Sequence, residues 1–300
     1  MANKFYYGGQ AVIEGVMMRG RRTMVTAVRR PGGDVALKVE PLSSLYTSRL
    51  RKMPLLRGVI VLIEAMVLGI KTLFYSANVA LEEEHTELSG WTILLILVAA
   101  LFFAVAIFFM APLFLTKLLD PFIGHSSIVF NLIEGIIRLA IFIAYLKAIT
   151  LMPDIRRVFS YHGAEHMTVN AHEAEVPLEV AEVRNYSTAH IRCGTSFLFA
   201  VLVIAILVFS AIGKPSLLVM VLSRVLLIPV IGALGYEVTY FAGRHLKNGL
   251  VRAILAPGLW MQTLTTKPPD DGQLEVAISA LKKVIEVEEQ PEAQPAPAPA

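Results

Sequence analysis

The run from Trp91 to Leu115 carries 25 residues without a charged side chain. About 20 apolar residues suffice to cross a bilayer core as a helix, and the opening tryptophan suits an interface. A second apolar run, Ile128 to Met152, is interrupted by Glu134, Arg138 and Lys147. A third covers Phe197 to Ile212. After the turn Gly213-Lys214-Pro215, a fourth covers Leu217 to Leu234 and contains Arg224. This pattern predicts two pairs of transmembrane helices, within 91–152 and 196–236, joined by a polar loop over 153–195.

Ahead of them, residues 58–80 are apolar but broken by Glu64 and Lys71. Residues 1–57 hold 11 Lys/Arg against 3 Asp/Glu, while Glu82, Glu83, Glu84 and Glu87 follow. One crossing at 58–80 would leave the most basic segment outside, against the positive-inside tendency. The segment 55–82 is therefore expected to be an in-plane or re-entrant helix. Residues 1–54 read as a small β-rich region. Met24–Arg30 and Val35–Glu40 alternate around Pro31-Gly32-Gly33-Asp34, a hairpin signal, and Gly8 to Gly15 is a further candidate strand. Beyond the last span, 237–289 is expected to end in a helix from about Gln273 to Glu289. Asp270-Asp271 would cap it, with Leu274, Ile278, Leu281 and Ile285 on one face. The alternating Pro/Ala tail, 290–300, has nothing to bury and is expected to be disordered. The fold class is thus mainly α: a polytopic helical membrane bundle with a small β-rich N-terminal region.

Composition agrees. The chain is 55% hydrophobic and only 17% charged, against about 25% for soluble domains. The first ten residues hold no apolar stretch of signal-peptide length, so the run at Trp91 is expected to act as an internal insertion signal. Placing 1–57 inside leaves the loop after the first span with one cation, Lys117. It returns Arg156, Arg157, Arg184 and Arg192, and later Arg244, Lys247, Arg252, Lys267, Lys282 and Lys283, to the same side. The expected location is the cell's inner (plasma) membrane, with both termini cytoplasmic. The basic face is then a candidate contact for anionic lipid, a ribosome or a translocon, or simply the topology signal. Cys193 is the only cysteine, which rules out an intramolecular disulfide.

Candidate chemistry concentrates in the 153–195 loop. Tyr161-His162-Gly163-Ala164-Glu165-His166 follows Pro153-Asp154, a plausible helix start. On a helix His162, Glu165 and His166 share a face, the His-x-x-Glu-His arrangement of inverted zinc peptidases. Two imidazoles so placed can hold zinc, with Glu165 as general base. His190 and Cys193, at the other end of the loop, can complete the shell if the loop folds back, and a thiolate suits zinc or iron. Glu237 is the distant carboxylate that an inverted peptidase would use. His172 falls off the helical face, and His245 ranks lower still. The bland alternative is a juxtamembrane helix whose His and Glu face water or headgroups. Within the spans, Glu134, Arg138 and Arg224 form either a functional charge cluster or a structural pairing.

Four segments together, Gly8 to Gly20, Tyr161 to His166, His190 to Phe197 and Pro257 to Thr266, resemble the YqhQ-like family of bacterial membrane proteins. The likeness runs from about residue 6 to 285. It implies a multi-pass protein from a family labelled as predicted metal-dependent enzymes, with genes tending to lie near translation genes. Two functions are therefore carried forward: a membrane-embedded metal-dependent hydrolase acting on peptide or lipid at the cytoplasmic face, or a non-catalytic scaffold for membrane-protein biogenesis.

Overall fold

The computed structural model describes residues 5–48, 51, 53–81, 90–123, 126–245 and 248–289. The expected Pro/Ala tail lies outside the described residues, as do Glu82 to Glu84, Glu87, His85, His125 and Lys247. Among the described residues the fold is mainly helical, with one four-stranded antiparallel sheet of β1 (Gly8–Val12), β2 (Gly15–Arg19), β3 (Thr23–Arg29) and β4 (Val35–Pro41), in that spatial order. The β3–β4 hairpin forms at the expected turn. Gly33 there adopts φ +95°, a left-handed conformation that costs glycine little. The stretch expected as one strand from Gly8 to Gly15 divides instead. Val12 pairs with Gly15 across a two-residue turn, and Glu14 sits at φ +51°. That conformation is held from outside the turn: the Glu14 carboxylate accepts hydrogen bonds from Arg157 and the Tyr161 hydroxyl.

The pleat sends alternate residues to opposite faces. Val16 and Met18, directly opposite Ala27 and Val25, face a core shared with two helices, α6 (Pro153–Glu173) and α12 (Asp271–Glu289). Met17 and Met24 face the other way, onto Leu68 of α2 (Leu56–Leu81), together with Leu42 and with Tyr46 of the short α1 (Ser44–Thr47). The sheet is thus the middle layer of a three-layer unit. The C-terminal helix forms as expected, with Leu274, Ile278 and Leu281 buried. It opens on a reciprocal cap in which Gln273 N donates to Asp270 Oδ1 (2.8 Å) and Asp270 N to Gln273 Oε1 (3.0 Å).

The apolar helices are α3 (Gly90–Val105), a π-helical turn at Ala106–Met110, α4 (Ala111–Ile123), α5 (Ser127–Ile149), α8 (Gly194–Ile212), α9 (Leu217–Leu226) and α10 (Ile228–Arg244). Between α6 and α8 lies the single turn α7 (Val180–Val183), and between α10 and α12 lies α11 (Gly249–Thr265). Among the described residues, four helical runs are long and apolar enough to cross a membrane: α2, the continuous α3–α4, α5 and α8. The α9–α10 pair would make a fifth. Many of their outward side chains, such as Leu95, Leu101, Phe102 and Leu207, are more than half exposed, which suits lipid and not water. The span expected over 217–234 as one helix is broken: α9 and α10 meet at 50°. Pro229, at the start of α10, has no N–H to donate to the preceding turn, and the helix breaks there. The first span is longer than expected, continuing to Ile123 through Pro121.

Candidate metal centre

Helix α6 begins with Pro153 in its first turn, where the missing N–H costs nothing, and Asp154 complements the helix dipole. The face bearing His162, Glu165 and His166 turns inward. His166 is 2% exposed and Glu165 4%. Each imidazole is fixed from behind. His162 Nδ1 lies 2.8 Å from the Thr265 carbonyl oxygen and His166 Nδ1 2.6 Å from the Thr188 carbonyl oxygen. A carbonyl only accepts, so both Nδ1 atoms carry a proton and Nε2 is the ring nitrogen left facing away from the carbonyl. The two rings sit edge to face with centroids 4.4 Å apart.

Cys193 reaches the same point from the start of α8. Its sulfur lies 3.4 Å from His162 Nε2 and accepts the Thr195 backbone N–H at 3.4 Å, capping the helix. Among the described residues, His162, His166 and Cys193 form the group whose ligand atoms all lie within 4.8 Å of one another. Tetrahedral zinc, with bonds of roughly 2.0–2.3 Å, separates its ligand atoms by about 3.3–3.8 Å. The His162–Cys193 distance already fits, and closing the remainder takes an ångström of side-chain movement. Two imidazoles and one sulfur leave a fourth tetrahedral position open.

The other candidates either flank this group or are engaged elsewhere. The His190 ring centroid is 5.6 Å from that of His166, and its Nε2 is 3.6 Å from Glu173 Oε1. Burial lowers the His190 pKa, against the opposing charge of Glu165, so a neutral ring flanks the centre without entering the three-atom group. Glu165 Oε2 is 3.5 Å from His166 Nε2. Glu237, expected as a distant ligand, does not join them: both its oxygens engage Arg57, with Oε1 2.8 Å from Nε, and Leu55 N donates to it at 2.9 Å. The forked guanidinium and the backbone N–H thus occupy that carboxylate. His172 meets Tyr7 edge to face, and His245 Nδ1 lies against the Phe241 carbonyl one turn back.

Several residues without a role in the sequence reading line the candidate centre, and two of them, Gln262 and Thr265, belong to the Pro257–Thr266 segment. Gln262 Oε1 accepts from His190 N (2.9 Å), while its Nε2 donates to His190 O and Ser196 Oγ (both 2.8 Å). Thr265 supplies the carbonyl behind His162 and pairs its hydroxyl with Thr195 at 2.9 Å. Gly163 is required by contact: a Cβ there would lie 2.1 Å from the Lys267 carbonyl oxygen, in the strap leaving α11. Lys267 N also donates to the Phe159 carbonyl (2.9 Å). On the sheet side, a Cβ on Gly9 would press at 3.0 Å on the Glu165 side chain. The four segments that carry the resemblance therefore converge on one place.

Residues 53–287 match the family described as Protein of unknown function (DUF1385). The chain belongs to this family. It is also 34% identical to the uncharacterized protein YqhQ of Bacillus subtilis (strain 168), an alignment covering 94% of this chain and 93% of the relative. No solved structure matches it. The DUF1385 match takes in three of the four converging segments, α6, the His190–Phe197 stretch and α11, while β1 and β2 precede it. The DUF1385 description assigns no chemistry.

Proposed function

We propose that this protein is a membrane-embedded, metal-dependent hydrolase whose centre, His162, His166 and Cys193, lies at the cytoplasmic mouth of its helix bundle. The observation that carries the proposal is the paired anchoring of the two Nδ1 atoms by the Thr265 and Thr188 carbonyls, which fixes both imidazoles in the tautomer that presents Nε2. Backbone acceptors behind histidine ligands are a recurring support in metal sites. The mixed nitrogen and sulfur donor set suits zinc, with iron as the other divalent candidate. Zinc held there would supply Lewis acidity and lower the pKa of water. The chain's own part is distinct. Glu165, beside His166, would take a proton from the attacking water and return it to the leaving group. His190, kept neutral by burial, would border the reacting region with a hydrogen-bonding ring. The substrate would be a peptide or lipid bond presented at the membrane surface, since α8 starts at Gly194, immediately after Cys193.

The scaffold reading depends on a basic cytoplasmic face meeting a ribosome, translocon or anionic lipid. It loses ground because Arg19 and Arg51 pair with Glu64, Arg29 with Glu275, Arg30 with Asp34 and Arg57 with Glu237. Much of the N-terminal positive charge is neutralised internally.

The test is metal analysis of detergent-purified full-length protein. About one zinc or iron per chain is expected, falling to background in His166→Ala and Cys193→Ser. Glu165→Gln should keep the metal and lose function in cells. Full metal content in both ligand variants would overturn the centre, and full function of Glu165→Gln would overturn the hydrolase.

A further inference from the structure

We propose that α2, although long and apolar enough to cross a membrane, lies along one leaflet as an interfacial helix whose partner is the lipid surface, with the sheet seated on its other side.

The sheet touches α2 at successive levels. Arg19 Nε meets Glu64 Oε1 at 2.9 Å. The Gln10 side chain rests on Gly69, where a Cβ would lie 2.8 Å from Gln10 Oε1. Glu40 Oε1 takes Lys71 Nζ at 2.8 Å, and Ile13 N donates to Ser76 Oγ at 3.1 Å. From Glu64 to Ser76 at 1.5 Å per residue is about 18 Å, more than half of a hydrocarbon core of about 30 Å. If α2 crossed, it would carry strand backbone, the outer edge of β4 and the charges of Arg19, Glu40 and Lys71 into hydrocarbon. No water there satisfies such groups, and open sheet edges do not occur in lipid.

Chain parity gives the same answer independently. The sheet shares one core with α6 and α12, so all three lie on one side of the membrane. Between β4 and α6 stand α2, the α3–α4 run and α5. Two crossings, by α3–α4 and α5, return the chain to the side it left. A third, by α2, would strand α6 opposite the sheet it packs against.

The face of α2 turned away from the sheet is apolar and uncovered. Ile63, Met66, Val67 and Leu73 are 45%, 66%, 47% and 45% exposed, along one side of the helix. The same helix is continuous with the membrane bundle at its N-terminal end. Gly58 packs on Ala233 so closely that a Cβ would fall 2.9 Å from the Ala233 Cα, and Leu62 closes on Gly232. An apolar face level with the bundle's spans has lipid for its neighbour, and interfacial helices bury such faces about 5–10 Å below the headgroups.

The test uses the full chain with Ile63→Cys, Met66→Cys, Val67→Cys or Leu73→Cys, all on the uncovered face and so without cost to the core. Each is spin-labelled and reconstituted in phosphatidylcholine/phosphatidylglycerol vesicles, with the unsubstituted chain, whose Cys193 is buried, as blank. Oxygen against nickel-chelate accessibility then reads depth. All four labels are expected at one shallow depth within about 5 Å, and impermeant thiol reagents should reach Leu56→Cys and Ala80→Cys from the same face. A crossing helix would instead separate Ile63 and Leu73 by about 15 Å in depth and expose 56 and 80 on opposite faces, overturning the proposal. Labels that meet water and no lipid would overturn it equally.

Discussion

Replacing Glu134 by glutamine should destabilise the helix bundle more than replacing either arginine beside it. Glu134 of α5 stands between two guanidinium groups. Arg138 Nη2 lies 2.5 Å from its Oε1, Arg224 Nε 3.2 Å from the same oxygen, and Arg224 Nη2 2.5 Å from Oε2. Glu134 and Arg138 are each 1% exposed and Arg224 is 0%. The remaining donors are placed too. Arg138 Nε bonds the Phe108 carbonyl in the π-helical turn, and Arg224 reaches Asn131 Oδ1 at 3.0 Å and Ser223 Oγ at 3.2 Å. Phe209 lies beside both cations, 4.5 Å from Arg224 and 5.2 Å from Arg138. The cluster thus holds two positive charges against one negative. Glu134→Gln keeps the shape but leaves two unpaired buried cations, and breaking a buried ion pair from one side costs about 3–5 kcal/mol. Arg224→Met leaves a neutral Glu134–Arg138 pair and removes the mutual repulsion. It should therefore cost less than Glu134→Gln by about 1 kcal/mol or more, on the same reasoning about uncompensated charge. Equilibrium unfolding in mixed detergent micelles measures both. If Arg224→Met proves as damaging as Glu134→Gln, or Glu134→Gln costs under about 1 kcal/mol, charge balance is not what organises this cluster.

Three further outcomes follow from the centre and its supports. Gly163→Ala should displace the Lys267 strap and with it the Thr265 carbonyl behind His162, costing about 1–3 kcal/mol of stability by overpacking and weakening metal retention without touching a ligand; unfolding and metal analysis on one preparation would show both effects. Gln262→Leu removes three hydrogen bonds around His190 and Ser196 and should lower metal affinity about 10–100-fold, the usual scale for losing a supporting partner, as read by competition with a chelator. Burial, reinforced by the Glu14 charge, raises the Tyr161 pKa above its ordinary value of 10, so the unfolded chain releases that proton first; the stabilisation is complete below about pH 10 and is lost as pH rises beyond it, and Tyr161→Phe should flatten the alkaline fall in the unfolding midpoint.

Long-range order along the chain was legible wherever a single physical signal dominated. Apolar runs marked the apolar helices, and the 3, 4 spacing marked the shared face of His162, Glu165 and His166. Asp270 and Gln273 marked the start of α12. What escaped has a common cause, in partners that sequence does not mark. Ile13 and Glu14 are poor turn residues, and the turn forms because Arg157 and Tyr161, over 140 positions away, hold Glu14 in place. Glu237 looked free until Arg57 was found on it, 180 positions earlier. The break at Pro229 was visible as a residue but hidden by an apolar run on both sides of it.

The histidine supports are the deepest case, because the acceptors at Thr188 and Thr265 are backbone carbonyls and any residue type has one. Their placement is a product of the fold. Thr265 ends α11, and the strap after it must cross α6 at Gly163 before Asp270 can start α12, whose apolar face closes the core over the sheet. Thr188 is set by the loop that Asn170 of α6 ties down through the Ser187 and Ala189 carbonyls, at 2.8 and 3.1 Å. The tautomers of both imidazoles are therefore decided by packing of the three-layer unit, not by the histidines' neighbours in sequence. Loosening the unit far from the centre, by a polar residue at Leu281 for instance, should release the carbonyls and the metal together, whereas loss of Cys193 alone should release the metal and leave the unit folded.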